Sequence, residues 1–312
     1  MADLEAIVAQ LRARLGDTAG EPEPLEGGIT NHNFRVRFGE RECVLRLPGH
    51  DTALLGISRE GERIAGEAAA RLGIAPGLIA AGEGYLVTEF LDAAPIDGER
   101  LRSGPESAAA ALRAFHDSGL RLPTTFWVPD LLDDYERTVL DRGAALPDEY
   151  APAKDLARRI AGSLPLSEPV PCHDDLLPGN ILAHHADPDR AVLVDWEYAG
   201  MGHRMFDLGN LAVNNEFDGP AQERLLTAYF GESPGPGRRA ALVLMRILSD
   251  AREAAWGVLQ GAISELDFDF ADYARRHFAR LAQAASDPRL EEWLALASTS
   301  TPAMPRSHEN GH

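Results

Sequence analysis

The chain has 312 residues, of which 45% are hydrophobic and 25% charged, and its formal net charge is −19. That is enough apolar material for two lobes around real cores. So acidic a balance excludes nucleic acid and anionic membrane surfaces as partners, because both demand basic patches, and it suits a cationic small molecule steered inward by the field. The opening "MADLEAIVAQ" carries acids where a signal peptide needs basic residues, and no apolar run reaches membrane-spanning length. Cys43 and Cys172 offer neither a disulfide framework nor a metal-binding spacing. We therefore expect a cytoplasmic protein with no membrane insertion. Lys154 is the only lysine, and no Gly-rich loop ends in Lys-Ser or Lys-Thr. P-loop nucleotide binding is thereby removed; any nucleotide phosphates must be held by arginine, backbone N–H groups and metal.

In chain order, Leu4, Ile7, Val8, Leu11 and Leu15 predict an amphipathic opening helix. Alternation at Phe34, Val36 and Phe38, a Gly39-Glu40 turn and Cys43-Val44-Leu45 predict an antiparallel hairpin. Ile64, Ala65, Ala68 and Leu72 share one face of a helix over about 59–72, and "GLIAAGEGYLVTEFL" reads as two strands around Gly82-Glu83-Gly84. Residues 1–91 thus form a small sheet lobe. Residues 92–300 read as a mostly helical lobe, with helices in "SAAAALRAFHDSG", "VPDLLDDYERTVL", "PAKDLARRIAGSL", over 238–263 and over 270–285. The polar, Pro-punctuated tail, 301–312, is expected to be disordered. A cleft between two such lobes is a common place for a ligand.

One stretch interrupts the helices. "PCHDDLLPGNIL" puts a histidine, two aspartates and an asparagine just before an apolar run, and "AVLVDWEY" follows after a turn centred near Pro188. Paired as an antiparallel hairpin, the two runs bring Asn180 opposite a position close to Asp195, about 4.5–5.5 Å apart at Cα. Asp175 lies in the loop that enters the same open end. Each residue alone is an ordinary turn or cap residue. Together, H-x-D-x-x-x-x-N and a strand ending in aspartate form the kinase-type catalytic arrangement, with oxygen donors for Mg²⁺.

These motifs resemble the choline/ethanolamine kinase family, within the aminoglycoside-phosphotransferase-like group of small-molecule kinases. His173, Asp175 and Asn180 match its catalytic loop, with Asp174 where the family usually has Asn. "VDWEYAGMGHRMFDLGN", "GGITNHNF" and "AWGVLQGAISELDFDFADYARRHF" are similar to three further family motifs. The resemblance implies an α+β, protein-kinase-like two-lobed fold, with a small antiparallel-sheet N-lobe and a larger helical C-lobe. It implies an ATP- and Mg²⁺-dependent phosphotransferase acting on the hydroxyl of a small, cationic amino alcohol.

Site roles follow from the same resemblance. Asp175 is the expected catalytic base; Asn180 and Asp195 hold Mg²⁺, and Glu197 assists them. Arg46 stands where protein kinases use lysine and clamps phosphate oxygens, paired with Glu62 or, failing that, Glu60. Gly27, Gly28, Thr30 and Asn31 cover the phosphates, and Glu89 to Leu91 form the hinge that meets adenine. Trp256 and Tyr273 match two aromatics of the family's choline pocket. Glu253 stands where choline kinases of the family carry a second tryptophan, and we expect it to favour a primary ammonium. His173 reads as a hydrogen-bonder of the loop, Trp196 as packing and His184-His185 as a solvated turn. An aminoglycoside kinase and an inactive kinase-like binding module are the rival readings. No sequence feature fixes the oligomeric state.

Overall fold

The computed structural model describes residues 2–18, 20–25, 31–49 and 52–299. Gly27, Gly28, Thr30 and the tail 301–312 lie outside the described residues. The N-terminal part comprises α1 (Ala2–Leu15), β1 (Glu23–Leu25), β2 (His32–Phe38), β3 (Arg41–Leu47), α2 (Arg59–Arg71), β4 (Leu78–Gly82) and β5 (Tyr85–Glu89). Its strands form one antiparallel sheet in the order β1-β2-β3-β5-β4. The inward residues Val36, Phe38, Cys43, Leu45 and Val87 meet Val8 and Leu11 of α1 in a small core, the outcome that period-2 alternation against an amphipathic helix dictates. Ser58 caps α2 by accepting from the Gly61 N–H at 3.1 Å. The buried alanines of α2 (Ala65, Ala68, Ala69) belong to the larger core, so this helix joins the sheet to the rest of the chain.

That larger part continues with β6 (Ala93–Pro95), α3 (Gly98–Ser103), α4 (Glu106–His116), α5 (Val128–Asp141), α6 (Tyr150–Ser163), β7 (Val170–Cys172), β8 (Ile181–His184), β9 (Asp187–Leu193) and β10 (Gly200–Gly202). Then come α7 (Arg204–Asn214), α8 (Gly219–Phe230), α9 (Pro236–Ile263), α10 (Phe270–Ala285) and α11 (Leu290–Ser298). The 28-residue α9 is the central post, packed by α5, α6, α7, α10 and α11. It starts at Pro236 rather than Arg238 because proline suits the first turn of a helix. No helix among the described residues is long and apolar enough to cross a membrane.

Two departures from the sequence reading have clear causes. The β8–β9 turn falls at His185-Ala186, not near Pro188, because the ladder shifts register between Ala183 and His184 and residues 188–190 are absorbed into β9. With Ile181 opposite Leu193, Asn180 faces Val194, whose N–H it accepts at 3.0 Å, and Asp195 is the next residue. The second departure is α7, which showed no helical period: every residue from Met205 to Val213 is buried, so no polar face marks it.

Candidate active site

The loop from β7 to β8 carries His173, Asp174 and Asp175 and ends in a 3₁₀ turn at Pro178–Asn180. Asp174 (φ 67°) and Asp195 (φ 63°) both sit in the left-handed region, where Asp is tolerated better than most side chains. What holds the loop is α7. Its Asp207 accepts the backbone N–H groups of His173 and Asp174 at 2.9 and 2.8 Å, and Asn210 accepts that of Leu176 at 2.5 Å. Between these two side chains lies Gly209, where a Cβ would stand 2.7 Å from the Met245 backbone. Only glycine lets α7 lie this close to α9, and that closeness fixes where Asp207 and Asn210 point. His116 bonds Asp207 at 2.9 Å and the Tyr229 hydroxyl at 2.7 Å. With Cys172 these side chains bring ligand-type atoms within 4.8 Å of one another, but the hydrogen bonds already commit His116 and Asp207 to anchoring the loop.

The His173 ring is committed as well. The Asp175 N–H points at Nδ1 (3.3 Å), which places the ring proton on Nε2, donating to the Val194 carbonyl at 3.0 Å. Burial lowers its pKa, so the ring is neutral. Trp196 packs between Phe115 and His173, each 4.5 Å away by ring centroid.

On the sheet side, Arg46 reaches from β3 to Asp195 at 2.5 Å and forms an ion pair with Glu62 of α2. Glu60 instead bonds Arg63 on the exposed face of α2. Arg59 bridges Glu62 (2.8 Å) and Glu197 (3.2 Å), and the Asn31 amide donates to Glu197 at 3.1 Å. Burial raises the Glu197 pKa and Asp195 adds to the rise, against Arg46, Asn31 and Arg59. The Glu89 N–H donates to the Gly77 carbonyl at 2.9 Å, and the Leu91 carbonyl accepts from Ala93 at 2.9 Å. That stretch leaves the sheet at the junction with the larger part.

Asp175 is buried at the meeting point of the two parts. The Asn180 amide donates to its carbonyl at 2.9 Å and to Oδ2 at 3.3 Å, and Arg252 Nη1 lies 3.4 Å from Oδ1. Burial pushes the Asp175 carboxyl well above the usual range; Arg252 opposes this, while Glu253, Asp195 and Glu197 add to it. Beyond Asp175, Trp256 Nε1 donates to the Tyr198 hydroxyl at 2.9 Å, and the Trp256 and Tyr273 rings meet edge-on at 5.5 Å. Glu253 is in the same cluster but differs from expectation. It is only 2% exposed, and both its oxygens are engaged, by Arg252 at 2.7 Å and by the Tyr273 hydroxyl at 2.6 Å. It faces protein groups rather than standing open to an acceptor.

The sequence reading brought Arg46, Glu62, Asp195, Glu197, Asn31, Asp175 and Asn180 to one place, and Glu253, Trp256 and Tyr273 to another, and the structure has both clusters. Arg59, Tyr198, Asp207, Asn210 and Arg252 it did not single out. Tyr198, Asp207 and Asn210 were within reach, since they lie inside the quoted "VDWEYAGMGHRMFDLGN" run. Arg252 had a weaker signal, as one of two arginines, with Arg246, in the apolar stretch before Trp256.

A small antiparallel sheet beside a larger helical part, joined across a loop of this kind, defines a phosphotransferase of the protein-kinase-like α+β plan. The chain matches the sequence model of the phosphotransferase enzyme family over residues 21–242. It is 26% identical to the human choline/ethanolamine kinase over 313 residues, covering 82% of this chain and 78% of that protein. It is 28% identical to mouse ethanolamine kinase 2 over 302 residues, covering 86% and 77%. Among solved structures, a choline/ethanolamine kinase family protein from Mesorhizobium loti superposes with a TM-score of 0.79 at 30% identity, covering 95% of this chain and 99% of that one. The chain belongs to the phosphotransferase enzyme family and, within it, to the choline/ethanolamine kinase family, whose members are small-molecule kinases.

Proposed function

We propose that the protein transfers the γ-phosphoryl group of ATP, with Mg²⁺, to the hydroxyl of a small amino alcohol. The observation that carries this reading is the position of Asp175, between the Arg46–Asp195–Glu197 cluster on one side and the Tyr198–Trp256–Tyr273 aromatics on the other. The acceptor hydroxyl oxygen attacks the γ-phosphorus while its proton passes to the Asp175 carboxylate; the bond to the β,γ-bridging oxygen breaks and ADP leaves. Burial makes Asp175 a stronger base than a free carboxylate, and Asn180 fixes its orientation. Arg46 exchanges Asp195 for phosphate oxygens, which its planar fork can hold in pairs. Asn31, which donates to Glu197, lies toward the same phosphates.

The donor set fits a hard divalent cation. Asp195, Glu197 and the Asn180 amide offer oxygen only, and Asp195 raises the pKa of both Asp175 and Glu197, an excess of negative charge that a cation relieves. Mg²⁺, when bound, screens the charge of the transferring group. The human choline/ethanolamine kinase and the mouse ethanolamine kinase 2, both relatives of this chain, point to choline and ethanolamine as the acceptor class. The test is an ATP-consumption screen against choline, ethanolamine, related amino alcohols and aminoglycosides. Acceptor-dependent turnover with an amino alcohol supports the reading; turnover with aminoglycosides alone sinks it.

A further inference from the structure

Arg59 is the first residue of α2, one turn ahead of Glu62 on the same face, and its side chain is 37% exposed. A cation in the first turn opposes the helix dipole, so its place there asks for anions nearby. Its Nη1 meets Glu62 at 2.8 Å and Glu197 at 3.2 Å, while Nη2 has no hydrogen-bond partner among the described residues. A charged donor left unmet is costly and asks for an explanation. Arg59 also lines a cavity of about 260 Å³ with Arg46, Glu62 and Arg63, between the start of α2 and the β4–β5 turn. The guanidinium therefore has room to turn.

A second observation concerns Glu62. This one carboxylate holds two arginines, Arg46 from β3 and Arg59 from its own helix, and so sets two guanidiniums close enough to repel each other. Each has a second anion, Asp195 for Arg46 and Glu197 for Arg59. Those are the carboxylates on which the proposed Mg²⁺ draws. Once they turn to the cation, both arginines are left with Glu62 alone, and two positive charges on one buried carboxylate call for a further anion. Glu197 and Asp175 are near enough to interact through their charges. Arg59, bonded to Glu197, therefore stands on the side of the site where the acceptor hydroxyl is activated.

We propose that Arg59 binds the terminal phosphate of ATP, released to it when Glu197 turns to the metal, beside the phosphate oxygens that Arg46 holds. This rests on the proposed phosphoryl transfer from Mg-ATP and adds a residue to it. Charge on the transferring group is spread over three equatorial oxygens, and two planar forks side by side meet that spread where one cannot. The γ-phosphate is the fitting ligand because the group in transfer must lie next to the acceptor hydroxyl at Asp175. ADP lacks that group, so with ADP bound Arg59 keeps its bond to Glu197. The arginine thus lets the site tell the donor nucleotide from its product.

Calorimetry with Mg-ATP and Mg-ADP, each without acceptor, tests this. The wild type is expected to bind ATP at least about tenfold more tightly than ADP. In Arg59→Gln the ATP affinity should fall to that of ADP, with ADP affinity unchanged, and Arg59→Lys, which keeps charge without the fork, should fall part of the way. Arg63→Gln is the control: Arg63 lines the same cavity but is spent on Glu60 and Glu67, and its loss should leave the preference intact. An unchanged preference in Arg59→Gln overturns the proposal, as do equal losses for the two nucleotides, which mark a structural arginine. The same holds if Arg63→Gln reproduces the effect. A wild type that binds both nucleotides alike overturns it too, needs no variant to fold, and leaves phosphoryl transfer standing. A wild type that binds neither overturns both readings.

Discussion

Two arginine-centred clusters flank Asp175, and they differ in how they are built and covered. Arg46 draws its partners from distant parts of the chain, Glu62 on α2 and Asp195 after β9, and the Asp195 side chain remains 25% exposed. Arg252 and Glu253 are consecutive residues on α9, each side chain 2% exposed. Partly solvated ion pairs exchange partners at little cost, whereas a buried pair that loses one member leaves an uncompensated charge. The first cluster is therefore suited to releasing Arg46 and Asp195 to a ligand on each catalytic cycle. The second keeps its two charges locked together within α9.

The largest effect is expected at the point the clusters share. Asp175→Asn keeps the shape of the loop but removes the proton acceptor, and kcat should fall by about 10²–10⁴ while nucleotide affinity is retained. Next come the clusters themselves. Glu253→Ala strands a buried guanidinium and should cost about 3–5 kcal/mol of stability, measured by urea unfolding. Asp195→Ala, in the partly exposed cluster, should cost no more than about 1 kcal/mol yet abolish Mg²⁺-dependent ATP binding in calorimetry. Equal stability losses in the two variants would erase the distinction. Arg46→Lys should retain the fold and lose most activity, because a point charge cannot hold Glu62 and paired phosphate oxygens as a fork does.

The smallest effect concerns Asp174, a buried carboxylate that no side-chain donor meets among the described residues. Burial, and after it Asp207, pushes its pKa well above the usual carboxylate value, with Arg252 opposing. A carboxyl raised in the folded state holds its proton after the unfolded chain has lost it, so its contribution to stability falls as pH rises from the unfolded pKa toward the folded one. Asp174→Asn removes that loss and suits the left-handed backbone. Thermal melts should show the variant gaining over wild type as pH rises above the carboxylate range, with no gain at acid pH; a pH-independent difference contradicts the assignment.

Much of this was legible in the sequence for physical reasons. The sheet hairpins around Gly39 and Gly84 announced themselves by alternation and by turns with positive φ. Asp175, Asn180 and Asp195 could be gathered because antiparallel pairing carries residues distant in sequence to one end of a hairpin. The turn itself was misplaced, since a bulge consumes residues without any signature in hydrophobicity. Arg252 stayed hidden because α9 is buried on nearly every side, and in such a helix the sequence has no polar face against which a buried charge stands out. The loop's anchors on α7, Asp207 and Asn210, stood inside a recognised motif, but the uniform burial of that helix left no polar face to show that they point at the loop.

The central claim is that Asp175 accepts the proton of an acceptor hydroxyl as the phosphoryl group moves. Phosphorus NMR of wild type and Asp175→Asn, each incubated with Mg-ATP and with choline or ethanolamine, tests it most directly. A new phosphomonoester resonance with matching ADP is expected in the wild type, and its rate of appearance should be lower by about 10²–10⁴ in the variant even though that variant still binds Mg-ATP. A phosphomonoester formed at comparable rate by Asp175→Asn, or ADP without any acceptor ester in the wild type, contradicts it.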